Sequence, residues 1–128
     1  MKQAIRDDQT IEEVQDIFHH LFPFLKVDFF ERDTHGLKKD KFNRPAINAK
    51  KLFGEFRLDK IDGGDFVIAK DIRISQLEQY IDSNYCLHVQ VFRKTGNVWL
   101  ETTITNNWTL DEQNRQGEII TLQMSHHN

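Results

Sequence analysis

The apolar positions of this chain change period along its length, and each period predicts an element. Val14, Ile17, Phe18 and Leu21 recur at helical spacing. Thr10 and Glu13 precede them as a capping box, in which each side chain satisfies a free backbone N–H of the other residue. Pro23 ends the helix, because it disfavours helical geometry at Phe22 and has no N–H. The period then drops to two: Leu25, Val27 and Phe29 alternate with Lys26 and Asp28, the pattern of a strand with one wet face.

Further on, "KLFGEFRLD" reads as a strand with Leu52, Phe56 and Leu58 on one face. Asp62-Gly63-Gly64-Asp65 reads as a turn, and "DFVIA" as a short buried strand. A second helix carries Leu77, Tyr80 and Ile81 inward. It is predicted to open on a Ser75–Glu78 capping box and to end near Ser83-Asn84. A hairpin follows. Leu87, Val89 and Val91 alternate with His88, Gln90 and Phe92, and Thr95-Gly96-Asn97 supplies a turn able to take positive φ. Val98 and Leu100 continue the apolar face, while Phe92 and Trp99 fall on the other and are candidates for a cross-strand aromatic pair. Thr109 and Glu112 form a third capping box, for a short helix "LDEQNR" closed by Gly117. "EIITLQ" reads as a last strand, and "MSHHN" as a frayed tail.

These elements predict one α+β domain over residues 1–128: a mostly antiparallel sheet, an N-terminal helix, and a helix between hairpins. From residue 52 to 105 the element order is β-grasp-like, with a ferredoxin-like split βαβ as the alternative. The pattern "ISQLEQYI…LHVQVFRKTGNVWLETT…NWTLDEQN" resembles small bacterial α+β domains in which a capped helix precedes a "VQVFRK-G-VWLETT" hairpin and a "WTL-EQN" helix start. The resemblance spans about residues 66–118, with a weaker match at "LFPFLKVDFF". It implies no activity, cofactor or site residue.

Composition narrows the function classes. Ten Phe and two Trp in 128 residues argue against disorder, and a net charge of −3 argues against a general nucleic-acid binder. The one cysteine, Cys86, excludes an intrachain disulfide and a multi-Cys metal site. The N-terminus has no apolar signal region, and the longest apolar run is "LFPFL". A cytoplasmic protein that does not insert into a membrane is expected by elimination.

Charge is unevenly spread. Residues 31–51 hold seven Lys and Arg against three acids, so this stretch is +4 and the remainder of the chain −7. Lys38, Lys39, Lys41, Arg44, Lys50 and Lys51 are its anion-binding candidates. The plainer reading is a solvated basic loop over residues 32–51, since Phe42 alone is present for base stacking and no phosphate-cradling motif occurs. Glu12, Asp16 and His20 share a stripe of the first helix at four-residue spacing, beside His19. The spacing suits a metal, but no second ligand motif accompanies it, and a solvated face is the simpler reading. His88 lacks an identifiable catalytic partner, and Cys86 with His88 two residues on does not form a nucleophile pair by spacing. No catalytic residue, metal or cofactor is expected.

The hairpin, apolar on both sides, must cover both. Phe92, Trp99 and Trp108 are therefore the interface candidates, and the expected function is a non-enzymatic protein-interaction module that binds a protein partner or forms a homodimer through a sheet face. The alternatives are a ligand binder or small enzyme with a pocket between sheet and helix, and an anion or nucleic-acid binder using the basic loop.

Overall fold

A computed structural model describes residues 2–31, 47–57 and 66–125. The candidates Lys38, Lys39, Lys41 and Arg44, the Asp62–Asp65 turn, Leu58 and the last three residues of the tail lie outside the described residues. In chain order the elements are β1 (Lys2–Ile5), α1 (Ile11–Leu21), β2 (Leu25–Glu31), a 3-10 turn (Phe53–Phe56), β3 (Phe66–Ala69), α2 (Ile74–Tyr85), β4 (Leu87–Thr95), β5 (Val98–Glu101) and α3 (Leu110–Ser125). The class is α+β. Both sheets are antiparallel, with strand orders β1-β3 and β2-β4-β5, and this division does not establish the β-grasp-like or the ferredoxin-like order.

α1 forms as its sequence dictates. The Thr10 hydroxyl accepts from the Glu13 N–H and the Glu13 carboxylate from the Thr10 N–H, both at 3.1 Å. Ile11, Val14 and Phe18 face the core. The next free N–H groups, of Ile11 and Glu12, donate to the carbonyls of Lys51 and Ala49, so the end of the basic stretch docks on the start of α1.

The core joins these α1 residues to Leu25, Val27 and Phe29 of β2, Leu77, Ile81 and Tyr85 of α2, and Leu87, Val89 and Val91 of β4. Burying so many large side chains against one sheet face supplies the main stabilisation of the fold.

Several expected elements differ. Residues 53–56 form a 3-10 turn rather than a strand. Phe53 is fully buried there, edge-on to Phe29 (centroids 5.2 Å) and to Tyr85 (4.5 Å). The turn is tied back by Phe53 N–H to the Gln9 carbonyl and Gly54 N–H to the Asp7 carbonyl. Gly54 is needed at that approach, since a Cβ would sit 2.7 Å from Asp7 Cβ. The partner of β3 is instead β1, a strand too short to show a period.

α2 begins at Ile74, so the Ser75–Glu78 box does not form. Gln76 Oε1 accepts the Arg73 N–H at 2.8 Å, and the Ile74 and Ser75 N–H groups donate to the carbonyls of Trp108 and Asn106. A loop distant in sequence thus caps the helix. α2 runs on to Tyr85, past the expected end at Ser83-Asn84, and Cys86 closes it in the left-handed region at φ 55°.

Residues 118–123 are not a strand, and Gly117 does not end a helix. Both lie inside α3, which runs sixteen residues from the Thr109–Glu112 capping box. At Gly117 α3 passes close over the sheet. A Cβ there would lie 2.9 Å from Phe24 Cβ and 3.1 Å from the Lys94 carbonyl oxygen. Packing on β4 thus overrides the strand preference of Ile119, Ile120 and Thr121.

Candidate functional site

Alternation along β4 sends Leu87, Val89 and Val91 into the core and His88, Phe92 and Lys94 to the second face of the sheet. Lys26, Asp28 and Phe30 of β2 join them there, with Trp99 and Glu101 of β5. Phe92 stands opposite Lys26 and Glu101, and Trp99 opposite Lys94, so the two aromatics are diagonal neighbours rather than a directly opposed pair. Lys26 links them: its ammonium lies 5.3 Å from the Phe92 centroid and 5.1 Å from that of Trp99. The His19 ring meets Trp99 edge-on at 6.2 Å. The result is a cleft of about 360 Å³ between α1 and this face, lined by Asp16, His19, Lys26, Asp28 and Trp99 among others.

Trp108 lies apart from this pair. It sits over the Arg93 guanidinium at 5.8 Å and borders a groove of about 250 Å³ along α3 with Glu112, Arg115 and Ile119. Arg93 alternates onto the helix-bearing side, so the three interface candidates divide between the two faces of the sheet.

The outer edge of β2 is closed. His19 Nδ1 lies 2.8 Å from the Leu25 carbonyl oxygen, Gln15 Nε2 donates to the Val27 carbonyl at 3.0 Å, and the Ile47 N–H donates to the Phe29 carbonyl at 3.1 Å. Three successive outward carbonyls are thereby satisfied without a strand. β5 is the other edge, and no described residue pairs with its outer side. Next to that edge Val98 and Leu100 are 56% and 45% exposed, and Ile104, Ile119, Leu122 and Met124 are exposed as well. Among the described residues no helix is long and apolar enough to cross a membrane.

Of the remaining candidates, Lys50 pairs with Glu12 at 2.9 Å, which holds its ammonium above the usual lysine range, and Lys51 lies 5.7 Å from the Phe56 ring. Glu12 is thereby committed, Asp16 lines the cleft, and His20 is exposed. Among the described residues no three His, Cys, Asp or Glu side chains form a metal-binding group. His88 faces Phe30 at 6.2 Å, and Cys86 is half-buried.

One polar network has no sequence signal, because its members are far apart in the chain. Arg57 Nε donates to Asp7 Oδ2 at 2.6 Å, the Tyr85 hydroxyl donates to Asp7 Oδ1 at 2.8 Å, and Arg57 Nη2 donates to the Tyr85 oxygen at 2.7 Å. The hydrogen bond from Arg57 holds the Asp7 carboxyl below its usual range, against the opposing effect of burial. Burial first, and then Asp7, push the Tyr85 hydroxyl well up. Tyr85 is therefore a fixed donor, and the trio ties the β1–α1 connection to the 3-10 turn and α2.

Comparison with protein families, curated proteins and solved structures finds no match.

Proposed function

We propose that this chain is a protein-interaction module that self-associates, two copies joining edge to edge through β5. The observation that carries this reading is the contrast between the two sheet edges. β2 is sealed by donors from α1 and Ile47, while β5 is open and flanked by Val98 and Leu100.

The register follows from parity. The Thr102 N–H donates to the Val91 carbonyl and the Lys94 N–H to the Phe24 carbonyl. Odd positions of β4 therefore address β5, so Val98 and Leu100 turn their main chain inward and Trp99 and Glu101 turn theirs outward. A twofold axis at Leu100 then sets Trp99 of each copy against Glu101 of the other, with outward N–H and C=O groups meeting. Leu100 meets Leu100 on the α3 side. Charge is complementary across this contact. Among the described residues Glu101 takes one hydrogen bond, of 3.4 Å from the Thr103 hydroxyl, and it would reach a Trp99 flanked by Lys26 and Lys94. This reading keeps the sheet-face association expected from Phe92 and Trp99 and centres it on the β5 edge, where Trp99 stands beside Lys26 and His19. The net charge of −3 and single cysteine support a cytoplasmic module that does not use nucleic acid as partner.

Sedimentation velocity on wild type and Leu100→Lys tests the reading. Wild type is expected to show a concentration-dependent dimer, and the variant, which sets like charges on the axis at a half-exposed position, a monomer with unchanged circular dichroism. A monomeric wild type, or a dimer that survives Leu100→Lys, sinks it.

A further inference from the structure

Beyond self-association, we infer that the cleft between α1 and the second sheet face binds a small zwitterion of the amino-acid type, with an ammonium, a carboxylate and an apolar or aromatic side chain. The cleft is built from residues of one chain, and it shares Lys26 and Trp99 with the β5-edge contact proposed to pair the copies. Its volume of about 360 Å³ falls in the range of small-molecule sites, roughly 300–1,000 Å³.

Charges of both signs face this space without neutralising one another. Among the described residues the ion pairs are Arg6–Asp8, Lys50–Glu12, Arg57–Asp7 and Arg115–Asp111, so neither Lys26 nor Asp16 has a partner within ion-pair distance. Among the same residues Asp28 takes one hydrogen bond, from Gln15 at 3.2 Å. Lys26 rests on the faces of Trp99 and Phe92, an attraction weaker than a charge-assisted bond to a carboxylate.

Opposite charges facing one cleft unpaired complement a molecule that carries the reverse pair at fixed separation. The ligand ammonium meets Asp16 and Asp28, its carboxylate draws Lys26, and its side chain lies on the Trp99 indole. His19 adds a second polar ring nitrogen. A carbonyl oxygen can only accept, so Nδ1 carries the proton given to Leu25, and Nε2 is the ring nitrogen left to face the ligand. A simple cation would meet Lys26 and a simple anion the two carboxylates, so neither fits as well.

Titration of labelled protein with L-phenylalanine, followed by amide and indole NMR, tests the site, with phenethylamine and 3-phenylpropanoate as single-charge controls. L-phenylalanine is expected to give saturable shifts at Gln15–His19, Lys26–Asp28 and the Trp99 indole, leaving Trp108 unmoved, and the controls to bind at least about tenfold more weakly. Asp16→Asn and Lys26→Met should each weaken L-phenylalanine by a similar factor, while Lys26→Met should strengthen phenethylamine by removing the competing cation. No saturable shift at Trp99, controls that bind as well as the amino acid, or variants without these opposite effects would overturn the assignment.

Discussion

Removing the charge of Asp7 with minimal change of shape isolates the contribution of the Asp7–Arg57–Tyr85 network. In Asp7→Asn the amide oxygen can still accept from one partner, but the NH₂ group then faces a donor at the other position, either Arg57 Nε–H or the Tyr85 hydroxyl. Breaking a fully buried ion pair costs about 3–5 kcal/mol. Here the Arg57 side chain is 13% exposed but that of Asp7 is 43% exposed, so solvent screening reduces the expected loss to roughly 2 kcal/mol. For a domain of 128 residues that loss lowers Tm by about 7 °C.

The pH dependence has a definite sign. A carboxyl held below its unfolded value of about 3.9 stabilises the fold above that pH and loses its contribution as pH falls through its folded value. Thermal denaturation of wild type and Asp7→Asn, followed by circular dichroism, should therefore show the widest gap near neutral pH and a closing gap below about pH 4. Equal Tm values at neutral pH, or a gap that stays constant into acid, would refute the electrostatic account of this network.

Two further substitutions probe packing. Gly117→Ala should destabilise by about 1 kcal/mol, because a clash of about 2 kcal/mol with Phe24 and the Lys94 carbonyl exceeds the gain of about 1 kcal/mol that alanine brings to a helix interior; urea denaturation showing a more stable variant would contradict the close crossing. Phe53→Ala should cost about 3–5 kcal/mol by the same assay, as expected for a fully buried ring, and a loss below about 1 kcal/mol would show that Phe53 is not a core residue.

What could be read from the chain depended on whether a signal was local. Thr10 and Glu13 with a helical repeat defined α1, and Leu87–Val91 with Gly96 defined the β4–β5 hairpin, because cap, period and turn lie within a few residues of each other. "KLFGEF" carries strand-like residues, yet its conformation follows from the packing of Phe53 against Phe29 and Tyr85, which no local pattern reveals. The sequence pattern ends α3 at Gly117 for a related reason: glycine marks a helix end and a close crossing equally well, and only the sheet distinguishes them. The cleft was half legible. Alternation places Trp99 on the second face, but His19, Lys26 and Asp28 share no motif, and only the passage of α1 along the β2 edge brings them together.

Cys86 alone separates α2 from β4. With no slack between them, neither element can slide by one position without carrying the other along. A one-residue slip would turn every β4 side chain to the opposite side and rotate the α2 stripe by about 100°. The end point of the helix and the choice of which side of the strand meets it are therefore a single structural decision, and the left-handed cysteine is the hinge pin that makes it.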